Sequence, residues 1–145
     1  MGTLVAGLLL GLLGGYLLGS SGGDDEASLE DALEAVQEEV TPALSALELV
    51  SIEYAEGAKG GEVVAETEYR ASLDHVQRAR SALDGARGDL ELLSPRELAA
   101  AEQALARLAQ LVEGTAPTAQ VDAAVARVDA AIRAAARIEG TGPQG

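Results

Sequence analysis

The chain has 145 residues, 24 acidic against 10 basic, a net charge of −14, three tyrosines, and no Phe, Trp or Cys. That length accommodates one small domain and at most one appendage. Without cysteine there is no disulfide framework, thiolate zinc site, iron–sulfur cluster or c-type haem attachment, and the strong negative charge without aromatic stacking platforms argues against nucleic acid.

The charge is unevenly spread. Residues 1–69 hold 14 acids and one base (Lys59), a balance of −13, whereas residues 70–145 hold ten acids and nine bases, a balance of −1. Regular apolar spacing through the acidic half argues against disorder. Adaptation to high salt and a cation-attracting function both remain compatible with it.

Residues 3–19 (TLVAGLLLGLLGGYLLG) are uncharged and almost wholly apolar. As a helix they span ~25 Å, the lower edge for crossing a bilayer, so residues 1–23 read as a transmembrane anchor or the apolar core of a signal peptide. Gly7, Gly11, Gly15 and Gly19 recur every four residues and would stack on one helix face, where a second helix, that of another copy included, can approach closely. Residues 24–39 then carry eight acids and no base. This disfavours a cytoplasmic position and places the soluble part outside the cytoplasm.

From Leu29 onward the apolar residues follow helical spacing. Leu29, Leu33, Val36, Val40, Ala43, Leu47, Val50 and Tyr54 form a first heptad seam, with Ser28 and Asp31 as a capping box. Thr41-Pro42 predicts a kink or restart, and Gly57, Gly60 and Gly61 a stop and a turn. A second seam runs Tyr69, Leu73, Val76, Leu83, Ala86, Leu90, Leu93, with Ala79 or Arg80 between and Gly85 and Gly88 weakening its last third. Ser94-Pro95-Arg96-Glu97 predicts a stop and a fresh capped start. A third seam is Leu98, Ala101, Leu105, Leu108, Val112, closed by Gly114. The fourth is Val121, Val125, Val128, Ile132, Ala135, Ile138, closed by Gly140. No useful period-two alternation occurs, and Val63-Val64 alone predicts no strand. The expected fold is therefore all-α, an antiparallel four-helix bundle over residues 24–139 with a disordered tail at 140–145.

Common catalytic constellations are absent. The single His75 and the lack of Cys leave no Cys–His pair and no two-histidine metal motif, and no nucleophile elbow or glycine-rich phosphate loop occurs. Di-iron and haem bundles lack their ligands here. The chain thus reads as a non-enzyme without haem, iron–sulfur or nucleotide cofactor. What remains is the first hairpin, where Glu53-Tyr54 and Glu68-Tyr69 flank the turn with Asp74 and His75 close by in sequence. Carboxylates, phenols and an imidazole suit a hard or borderline cation. The plainer alternative is that Tyr54 and Tyr69 fill seam positions and stack while the glutamates are solvated.

The stretch from Leu47 to Leu83 resembles the extracytoplasmic helical module that precedes the membrane domain in bacterial high-affinity iron permeases, the oxidase-coupled iron permease family. The resemblance rests on Glu53-Tyr54, the turn Gly61-Glu62-Val63, Glu68-Tyr69 and Asp74, and extends over roughly residues 33–139. Ala55 stands where the family has Pro, Ala71 where it has an acid, and His75 where it has an aromatic. The permease's own spans and its Arg-Glu-x-x-Glu motif are missing. The resemblance implies a membrane-anchored accessory to iron uptake, acting beside an iron permease or a periplasmic iron-binding protein. Iron would meet Glu53, Tyr54, Glu68, Tyr69, Asp74 and His75. The alternative is a structural or interaction bundle on a glycine-faced anchor, with no ligand.

Overall fold

A computed structural model describes the fold over residues 25–138. The expected anchor or signal segment with Gly7, Gly11, Gly15 and Gly19, and the tail at 140–145, lie outside the described residues. Among those described, no helix is long and apolar enough to cross a membrane. The chain divides into two compact units, 1–34 and 35–145, and the bundle core belongs to the second.

The described elements are α1 (Asp25–Gly57), a short hairpin of β1 (Ala58–Lys59) and β2 (Glu62–Val63), α2 (Glu66–Gly85), α3 (Arg87–Leu93), α4 (Pro95–Glu113) and α5 (Thr118–Ala135). The all-α, four-helix-bundle expectation holds, and the seams face inward as their spacing requires. Val36, Val40, Ala43, Leu47, Val50 and Tyr54 of α1 are all buried, as are Leu98, Ala101, Leu105, Leu108 and Val112 of α4. On α2 the ambiguous position is taken by Ala79, which is buried, while Arg80 is exposed. Each Leu or Val moved fully out of water contributes roughly 1.5–3 kcal/mol. Alanine at Ala79, Ala101 and Ala135 (all 0% exposed) shortens the distance between helix axes.

Four local expectations are corrected. Thr41-Pro42 does not restart a helix, because α1 runs through Pro42 without a break. The Thr41 hydroxyl donates back to the Gln37 carbonyl at 2.8 Å instead of capping, and both Thr41 and Pro42 lie on the exposed face. The carbonyl that Pro42 cannot bond, that of Glu38, belongs to an exposed residue on which water is available. The second seam is split: α2 ends at Gly85 and a short α3 begins at Arg87, with Ala86 buried at the joint. Two glycines within four residues lower the helical preference enough for the chain to turn there. Ser94 starts α4 with Pro95 in the first turn, but it makes no side-chain cap hydrogen bond, so the capping box is not formed. Finally, the turn region does hold a strand pair, with Ala58 opposite Val63 and Lys59 opposite Glu62. Gly60 (φ 61°) and Gly61 (φ 87°) supply the two positive φ values that a tight two-residue hairpin demands.

Gly114 closes α4 as expected, whereas α5 ends at Ala135, before the expected Gly140, and neither helix has glycine at the left-handed position that follows its cap. At the end of α4, Gly114 is followed by Thr115 at φ 49°; past α5, Arg137 sits at φ 54°. In both places paired backbone bonds close the turn: Ala116 N–H to Leu111 O with Thr115 N–H to Val112 O, and Ile138 N–H to Arg133 O with Arg137 N–H to Ala134 O. These are Schellman closures with a non-glycine residue in the left-handed position.

Candidate functional site

The end of the bundle formed by the α1–α2 hairpin and the α4–α5 link gathers most residues singled out in the sequence. The crossing of α1 and α2 is unusually close. Gly57 is buried, and a Cβ placed on it would overlap the backbone nitrogen of Tyr69 and come within 2.6 Å of Tyr69 Cα and 2.9 Å of the Glu68 carbonyl carbon. Its carbonyl accepts from the N–H groups of Val64 (2.9 Å) and Ala65 (3.2 Å), which ties the hairpin exit to the end of α1. Only glycine permits this approach.

The close crossing brings the two tyrosine rings together, with centroids 6.4 Å apart and planes tilted by 50°, a favourable aromatic geometry. Both phenols then reach across to the far end of α4. Tyr54 O–H donates to the Ala116 carbonyl at 2.6 Å, and Tyr69 O–H donates to the carbonyls of Val112 (3.0 Å) and Glu113 (3.4 Å). Tyr54 supplies a donor to the Ala116 carbonyl in the link after α4, and Tyr69 adds a second donor to the Val112 carbonyl that Thr115 N–H already bonds. Tyr54 is completely buried, and burial first, then the neighbouring Tyr69, pushes its phenol above the ordinary tyrosine value. The packing alternative for the two tyrosines is therefore what the fold contains, with a capping role added to it.

A third strap closes the same end. Thr115 Oγ1 donates to the Gly61 carbonyl at 2.8 Å, joining the hairpin turn to the α4–α5 link. A β-branched residue at positive φ is strained, and the hydrogen bond offsets that strain. Replacing Thr115 with Val keeps the shape and the strain but removes the strap. Urea unfolding should show about 1 kcal/mol lost. Thr115→Gly relieves the strain while losing the same bond, so its unfolding midpoint should stay nearer that of the parent than Thr115→Val does.

The carboxylates are dispersed around this capped end. Glu53 and Glu68 are half-buried beside the tyrosines, whereas Glu56, Glu62, Glu66 and Asp74 are exposed. Arg70 pairs with Glu66 across one turn of α2. His75 is half-buried, and its Nδ1 is a buried atom without a hydrogen-bond partner among the described residues. No group of three or more His, Cys, Asp or Glu side chains gathers in a metal-holding arrangement among the described residues. The structure thus brings Tyr54 and Tyr69 together, sets Glu53 and Glu68 at their flanks, and forms no cage from Asp74 and His75 with them.

Gly57, Thr115 and Ala116 were not recognised as site residues from sequence. Gly57 reads as a helix stop, and nothing local to Thr115-Ala116 signals that residues more than 50 positions upstream will bond there.

No curated protein and no solved structure matches the chain. Residues 28–139 match the family model described as the iron permease-associated 4-helix bundle domain. Nearly the whole bundle is covered, and the chain belongs to that family, a transporter-associated module.

Proposed function

We propose that this protein is a non-enzymatic accessory of iron uptake. Its apolar N-terminal segment holds it at the outer side of the membrane, and the acid-rich end of its bundle offers carboxylates to iron. The observation carrying this reading is membership of the iron permease-associated family over residues 28–139. The geometry supports a particular version of it. Tyr54 and Tyr69 commit their phenol protons to α4 carbonyls, so they orient the site. Glu53, Glu68 and Asp74 are the oxygen donors left for a hard cation, and His75 Nδ1 has no hydrogen-bond partner among the described residues. Dispersed ligands suit brief, weak contact during transfer to an iron permease or from a periplasmic iron-binding protein.

Calorimetric titration of the full chain with ferrous iron or manganese tests it. Weak binding that disappears in Glu53→Ala/Glu68→Ala is expected. An absence of heat, or an isotherm unchanged in the double variant, removes the direct iron contact.

A second reading, a docking bundle without a ligand, is favoured by the apolar surface left in water: Ile52 is 56% exposed and Val64 55%. Crosslinking of the parent and of Gly11→Leu/Gly15→Leu separates the two. Loss of an oligomer with unchanged metal behaviour supports the docking reading.

A further inference from the structure

A groove of about 410 Å³ runs between α4 and α5, lined from Ala100 to Leu111 on the one helix and from Gln120 to Arg127 on the other. Ala100 and Ala104 of α4 and Ala123 and Ala124 of α5 line it, with Arg107 on one helix and Arg127 on the other. Its volume lies within the range of small-ligand sites. Not one of its lining residues is acidic, in a protein with 24 acids and 10 bases.

Like Arg78, Arg80, Arg96 and Arg137, both arginines are outside the internal ion pairs of the described residues; they alone among these six line this groove. Among the described residues, Arg70 pairs with Glu66, Arg87 with Glu102 and Arg133 with Asp129, while neither Arg107 nor Arg127 has a carboxylate in ion-pair range. Arg107 makes one long contact of 3.4 Å to the Gln110 side chain. Guanidinium groups left without an internal partner are donors for planar oxyanions, which they bind through paired N–H groups. Gln103 and Gln120 add amide groups to the same lining, able to serve a ligand hydroxyl or a third carboxylate. Alanine walls allow a compact ligand to sit close to both helices.

The surrounding charge does not oppose an anion as the rest of the molecule would. Residues 95–138 hold five acids and five bases, and Glu102 and Asp129 among those acids are already paired. The −13 of the first 69 residues lies elsewhere in the chain.

We propose that the α4–α5 groove binds a small polycarboxylate anion, clamped between Arg107 and Arg127. The anion can arrive free or as the organic shell of a ferric chelate. Only the chelate form rests on the iron-uptake reading. The anion site stands on the groove's own residues.

Titration calorimetry of the full chain with citrate and, separately, with ferric citrate tests the site. Both exposed arginines can be replaced without disturbing the core. Arg107→Gln and Arg127→Gln should each weaken citrate binding by about tenfold, and the double variant should abolish it. Arg80→Gln, on another face, should leave it unchanged. Acetate should bind far more weakly than citrate. Tighter binding of ferric citrate than of free citrate assigns the groove to the iron chelate, and equal binding assigns it to the free anion. Absence of citrate binding overturns the proposal, as does binding that survives the double variant. Equal binding of sulfate or tighter binding of a poly-glutamate peptide overturns it as well. The Glu53→Ala/Glu68→Ala variant should retain citrate binding, so failure of the carboxylate relay and failure of the groove are told apart.

Discussion

Gly57→Ala should destabilise the bundle more than any other single-methyl addition among the described glycines. The added carbon would collide with backbone atoms, Tyr69 N and Cα and the Glu68 carbonyl carbon, which cannot rotate away as a side chain would. The crossing of α1 and α2 must open, and overpacking of this kind costs ~3 kcal/mol. For a domain of this size that corresponds to a fall in melting temperature of roughly 10 °C. Gly85 and Gly88 provide the internal comparison, because a Cβ at either position meets nothing within 4 Å. Their alanine variants should instead gain stability, by up to about 1 kcal/mol each, as the unfolded chain loses freedom. Thermal melts of the three variants check the contrast. Opening the crossing also separates Tyr54 from Tyr69, so Gly57→Ala should weaken any metal response at Glu53 and Glu68.

Tyr54→Ala is expected to have the other large effect, because it empties a fully buried ring position and removes the cap on Ala116. Loss of a buried aromatic costs ~3–5 kcal/mol. Tyr54→Phe isolates the hydroxyl. The ring stays, the Ala116 carbonyl loses its donor, and roughly 1–2 kcal/mol should be lost. The pH dependence follows from the direction of the phenol's shift. Burial raises its pKa above the unfolded value, so the folded state holds the proton more tightly. The resulting stability is fully present below the unfolded phenol value of about 10 and is lost as pH rises through the folded value. Urea midpoints measured between neutral pH and pH 11 should fall at the alkaline end for the parent. In Tyr54→Phe this alkaline loss should be smaller, since the group that causes it is gone. Tyr69→Phe should cost less than Tyr54→Phe at neutral pH, because Tyr69 is only half-buried and water can replace its hydroxyl.

Helical periodicity alone determined that this protein is an all-α bundle and which faces are buried, from Val36 to Tyr54 on α1 and from Leu98 to Val112 on α4. Burial of an amphipathic stripe is dictated by the stripe itself, so it can be read residue by residue. The Glu-Tyr pairs and their turn were equally legible as a pattern, and with them the family. Their partners were not. The Ala116 carbonyl has no side-chain identity, and it lies 62 residues from the phenol it receives. Gly57 carries the same letter as an ordinary helix stop, and only the crossing of α1 over Tyr69 makes it irreplaceable. Two of the three scarce tyrosines, Tyr54 and Tyr69, flank the first hairpin in the sequence. The tertiary structure decided that both act there as ties between helices, because a phenol turned away from water gives its proton to a backbone carbonyl within reach. It also decided that Arg107 and Arg127 share one groove, since α4 and α5 lie side by side in the fold while those residues stand 20 positions apart along the chain.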